Sequence, residues 1–90
     1  MARFLPTVIE GLDVNEEPEG LVVYDPATDQ VHYLNSTAAI VFTLCDGQHE
    51  VADIAAIVAG AFGLEETPLD VITACLDTLE DEGLLHNLLQ

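Results

Sequence analysis

The sequence predicts an α+β chain in which a three-stranded antiparallel sheet is followed by three helices. Three observations carry this. Before position 35 the apolar residues fall in short, β-branched runs separated by turn residues. After it they recur every three or four positions, the period of a helix face. The helical stretches then end on glycines, at Gly47, Gly63 and Gly83.

The segment Leu21-Val22-Val23-Tyr24 reads as a strand, because β-branched and aromatic side chains pack well on a pleated surface. Asp25-Pro26-Ala27-Thr28-Asp29 follows as a turn, with Pro presetting φ at its first central position. Val31-His32-Tyr33-Leu34 reads as the next strand, so the two form a hairpin with a loop of about five residues. An earlier strand is expected within Thr7 to Val14. Asn15 to Gly20, rich in Glu, reads as a solvated acidic turn. One outer strand of such a sheet keeps a free edge.

From Ser36 the pattern is helical. Asn35, Ser36 and Thr37 each offer a side-chain oxygen to the unpaired amides of a helix start. Ala38, Val41, Phe42 and Cys45 recur on one face, with Ile40 and Leu44 beside them, until Asp46-Gly47. The second helix is expected from about Glu50 to Gly63, with Val51, Ile54, Ile57, Val58, Ala61 and Phe62 as one broad apolar stripe. Glu50 and Asp53 place negative charge where the helix dipole favours it. In the third helix Thr67 is the expected cap and Pro68 the first helical residue, with Asp70 three after the cap. Leu69, Ile72, Leu76 and Leu79 make its stripe; Val71, Cys75 and Thr78 lie beside it. Asp77 and Glu80 to Glu82 load its C-terminal end with charge that opposes the dipole. The tail from Leu84 to Gln90 suits a final strand or wing. Together these elements describe a winged-helix-like layout in a single domain, residues 1–90.

Composition narrows the partners. Of the 90 residues, 17 are acidic and Arg3 alone is basic, for a formal charge of −16. Such a surface repels phosphates and anionic lipid, which argues against nucleic acid and membrane as partners. The charge serves solubility, or steers a basic partner. No apolar run is long enough to span a bilayer and the start lacks a signal-peptide pattern, so a reducing cytoplasm is the expected location.

No catalytic or metal-binding set is visible. His32, His49 and His86 lie far apart without metal-ligand spacing. Ser36 sits in Leu-Asn-Ser-Thr, which suits a helix cap and lacks a nucleophile elbow. An acyl carrier protein is a further comparison for a small acidic chain. The sequence around Ser36 and the hairpin before it do not match a four-helix carrier. Cys45 and Cys75 have apolar and acidic neighbours, which favour packing over reactivity. No cofactor is expected, and the chain is read as a binding module, not an enzyme.

Several runs, in order, resemble the PqqD-like family. They are Leu21 to Asp25, Val31 to Val41, Leu44-Cys45-Asp46-Gly47, Val51-Ala52-Asp53-Ile54 and Leu76 to Leu85. The resemblance covers about residues 20 to 85. Each run is weak alone; their order and spacing are specific. The family is the RiPP recognition element, with three strands and three helices related to winged helices. The resemblance implies that the chain binds the leader of a ribosomally made precursor peptide and presents it to a modifying enzyme, often a radical SAM protein. It implies that the leader adds to the free edge of the strand Val31 to Asn35, against the helix Pro68 to Glu82.

On that strand, alternation puts Val31 and Tyr33 on one face and His32 and Leu34 on the other. One pair is expected to face the core and the other to help line the groove. On the helix, Val71, Cys75 and Thr78 are the expected groove wall. Plain packing is the alternative reading for each. The alternative functions are a winged-helix regulatory or interaction domain and a small carrier protein. A winged-helix DNA binder is disfavoured by a third helix without Lys or Arg. The strong acidity is not part of the family pattern. It points to basic residues in the leader, or to enzyme docking at Asp77 to Glu82, and binding that weakens with salt.

Overall fold

The computed structural model describes residues 5–87. The order is β1 (Pro6–Val8), β2 (Asp13–Glu17), β3 (Gly20–Asp25), β4 (Gln30–Asn35), α1 (Ser36–Leu44), α2 (Val51–Phe62), α3 (Leu69–Asp81) and β5 (Leu85–Asn87). The α+β layout of a three-stranded antiparallel sheet followed by three helices is as expected. A second sheet of two strands is added to it. There β1 and β5 pair antiparallel, with Thr7 opposite His86.

The main sheet has the order β2-β3-β4. Its register sets Gly20 opposite Asn35, Leu21 opposite Leu34 and Asp25 opposite Gln30. Alternation on β3 sends Leu21, Val23 and Asp25 inward. Asp25 is buried, and its carboxylate accepts a hydrogen bond from the Ala27 amide (3.0 Å), which holds the hairpin turn. Helix α1 packs on the inner face of β3 and β4, and α2 and α3 pack on α1 and on each other. Val23, Val41, Ile54, Ile72 and Leu84 are fully enclosed in the resulting core.

Helix starts follow local chemistry. The Asn35 side chain accepts from the Ala38 amide (2.9 Å), so of the three candidate caps Asn35 serves. Glu50 and Asp53 form a reciprocal capping box at α2. Gly83 takes φ +79° after the cap Glu82, and the Leu84 amide returns to the Leu79 carbonyl (3.0 Å). That turn aims the chain from α3 into β5.

Four expectations are corrected. The region Thr7 to Val14 does not form one strand: β1 and the start of β2 lie in different sheets, separated by a turn at Gly11. Asn15 to Glu17 are strand rather than turn, because pairing with Leu21 and Val22 satisfies their backbone despite modest β propensity. At α3, Pro68 is the cap residue and the Thr67 side chain makes no cap bond. On α2 the buried face is Ile54, Ala55, Val58 and Ala59, while Ile57, Ala61 and Phe62 are exposed. The last three residues of the expected tail strand lie outside the described residues.

Candidate binding groove

Strand β4 pairs with β3 on one side only, so its outer edge presents backbone groups with no strand partner among the described residues. A groove of about 480 Å³ runs along that edge. Tyr33, Leu34 and Asn35 line one side, and Thr37 and Ala38 of α1 close one end. The opposite wall is α3, which contributes Val71, Ala74, Cys75, Thr78, Leu79 and Glu82. Val71, Cys75, Thr78 and Glu82 are spaced by three or four positions, so one stripe of the helix faces the strand.

The strand's two faces divide as alternation requires. Leu34 is buried and His32 nearly so, whereas Val31 and Tyr33 point to solvent. Tyr33 is 80% exposed and still borders the groove through its position on the rim. The expected division between a core face and a groove face is therefore too simple. Leu34 belongs to the core and to the groove floor at once.

Of the seven residues singled out in the sequence, Tyr33, Leu34, Val71, Cys75 and Thr78 line this one groove. Val31 lies outside it on the outer sheet face. His32 does not line it, but its Nδ1 stands 2.7 Å from Oε2 of Glu82, which does. With its proton on Nδ1 the ring donates to the carboxylate; Nε2 is buried without a partner among the described residues. Thr37, Ala38 and Ala74 were not anticipated, Leu79 was read only as core, and Asn35 and Glu82 entered only as the ends of the strand and helix that the resemblance named. Ala74 was within reach of helical spacing, since it follows Val71 by three. Asn35, Thr37 and Ala38 look like helix-start residues, and nothing local marks them as groove residues.

The cysteines are free. Burial pushes the Cys45 thiol up to about 12, helped by the nearby Cys75 and Asp46, and its Sγ donates to the Val41 carbonyl (3.1 Å). Cys75 on the groove wall is also raised, by burial and then by Glu82. Both thiols are therefore weakly acidic and stay protonated at neutral pH, Cys45 in the core and Cys75 on the groove wall. The second histidine–carboxylate pair is local: Nδ1 of His49 stands 2.9 Å from Oδ1 of Asp46, whose carboxyl it holds below the usual range. Among the described residues no three His, Cys, Asp or Glu side chains are grouped to hold a metal ion. No helix among them is long and apolar enough to cross a membrane.

The other free edge, β2, differs. Asp13, Glu16 and Glu17 charge it, all its residues are exposed, and α3 does not flank it. Charge on an edge discourages strand addition.

The family model for coenzyme PQQ synthesis protein D (PqqD) matches residues 20–85. No curated protein matches the chain. Among solved structures, one described as lasso peptide synthetase B1 complexed with the leader peptide is similar, with a TM-score of 0.76 and 23% identity. The match covers 91% of this chain and 98% of that one.

Proposed function

The chain belongs to the PqqD family, and on that premise we propose that it binds the leader segment of a ribosomally synthesised precursor peptide. The leader adds as a strand to the outer edge of β4 and lies against α3. The chain then presents it to a modifying enzyme, a radical SAM maturase being the partner class that the family suggests. In this reading the chain delivers substrate in the cytoplasm and does no chemistry itself.

The observation that carries the reading is the open edge of β4 with an apolar helix wall beside it. An added strand satisfies the unpaired backbone groups, and the side chains of α3 sort its residues. Val71 is 57% exposed and Tyr33 80%, a burial deficit that a bound peptide would remove. The similar structure is described as holding a leader peptide, which supports the same use of the fold here.

A DNA-binding winged helix fits less well, because α3 carries no Lys or Arg to neutralise phosphates. A carrier protein also fits poorly, since Ser36 opens a helix that directly follows a sheet.

The test is fluorescence polarisation with labelled leaders from precursor genes adjacent to this chain's gene. Tyr33→Asp and Val71→Asp should each weaken binding at least about tenfold, the effect of losing one good apolar contact at an interface. Both side chains are exposed, so folding should survive. Unchanged affinity in both variants would sink the groove.

A further inference from the structure

We propose that the groove reads polarity along the peptide. It takes an aliphatic or aromatic side chain at the Val71 end and a Lys or Arg about five residues away, at Glu82. This rests on the leader-binding reading and adds which residues the leader must carry.

The chemistry of the groove wall changes along α3. Val71, Ala74 and Cys75 are apolar at one end. Thr78 follows, and its hydroxyl is already spent on the Ala74 carbonyl (3.0 Å). Glu82 stands at the other end and is the only charged side chain among the described residues that lines the groove. The acids near Val71 do not blur this order. Glu65, Glu66 and Asp70 line an adjoining hollow at the α2–α3 loop, which meets the groove only at Val71, and none of the three lines the groove itself.

Two further facts make Glu82 a receptor for a cation. Its carboxylate is held in place, because Oε2 accepts from Nδ1 of His32 at 2.7 Å while the side chain stays 38% exposed. The described residues contain no Lys or Arg, since the chain's one basic residue of that kind, Arg3, lies outside them. Within the described chain only histidines stand near carboxylates. No Lys or Arg among the described residues stands against Glu82, and its partly exposed carboxylate is left for a cationic side chain of the peptide.

The spacing follows from geometry. Val71 and Glu82 are eleven positions apart on α3, which is about 16 Å at the helical rise. An extended peptide covers that distance in about five residues.

The test is selection of a displayed library of random 12-residue peptides on the intact protein. The expected result is an apolar residue and a Lys or Arg enriched at a fixed separation of about four to six. Glu82→Gln keeps an acceptor for His32 and should cut the spaced cation's enrichment by about three- to fivefold, the range for a partly exposed ion pair. The apolar preference should remain, and Val71→Asp should remove it instead. Glu16→Gln and Glu17→Gln on β2 should change neither.

Cations enriched equally at every position would mean that bulk acidity alone attracts them, and would overturn the proposal. So would a spaced cation that survives Glu82→Gln. Peptides that bind without regard to Tyr33 and Val71, or no enrichment at all, would instead bring down the leader-binding reading and the proposal with it.

Discussion

Nδ1 of His32 and Oε2 of Glu82 lie 2.7 Å apart, so one hydrogen bond ties the edge strand β4 to the residue that caps α3. It spans 50 positions of sequence and sets the width of the groove at that end. The imidazole is mostly buried and the carboxylate is partly in solvent. A double-mutant cycle with His32→Ala and Glu82→Ala, read by urea denaturation, should give a coupling of about 0.5–1 kcal/mol. The His32 change alone should cost more, because the ring also packs. Additive effects would show that the contact contributes no stability.

Gly20 starts β3 opposite Asn35, and the backbone there leaves no room for a side chain. A Cβ at position 20 would come within 1.7 Å of the Leu34 carbonyl oxygen and 2.8 Å of its carbon. Backbone atoms cannot swing aside as a side-chain tip can. Gly20→Ala should therefore cost about 2–4 kcal/mol, the upper part of the range for overpacking and strain. The strand displaced is β4, so leader binding should fall with stability. A variant as stable as the parent would show that the hairpin can shift without penalty.

The two thiols should separate in labelling. At about pH 8, Cys45 with a pKa of about 12 is almost wholly protonated, and it is buried. Iodoacetamide should modify it at least about a hundredfold more slowly than a free thiol, since the thiolate is the nucleophile. Cys75 is less buried and should react first, though below the free rate because its thiol is also raised. A bound leader should slow Cys75 and leave Cys45 unchanged. Equal rates at the two sites would contradict the burial difference, and an unprotected Cys75 would contradict the groove assignment.

Much of the architecture could be read from residues close in sequence. The hairpin of β3 and β4 was visible because β-branched runs flank an Asp-Pro turn. The start of α1 was visible because Asn35 caps within three residues. The end of α3 was visible because Gly83 admits a positive φ. Val71, Cys75 and Thr78 were legible as one stripe because helical period alone aligns them.

Other features depend on partners far along the chain. Ile54 and Ile57 looked equivalent on α2, yet Ile54 is fully buried and Ile57 is 41% exposed, because α1 and α3 cover only part of the helix. The Glu-rich run of β2 is extended because β3 lies beside it.

The sequence by itself determined the β3–β4 hairpin and the three helices after it, the caps of α1 and α2, the glycine stops of α2 and α3, and an acidic surface that disfavours nucleic acid. These follow from hydrogen bonds and periodicities within a few residues, and from charge, which needs no fold to be counted. The tertiary structure decided that β1 and β5 pair across almost the whole chain, that Gly20 must lack a side chain, and that Tyr33 stays exposed while Leu34 is buried. It also decided that Glu82 ends the groove under the hold of His32. Such contacts are chosen by which surfaces meet when the core closes, and no local pattern encodes that choice.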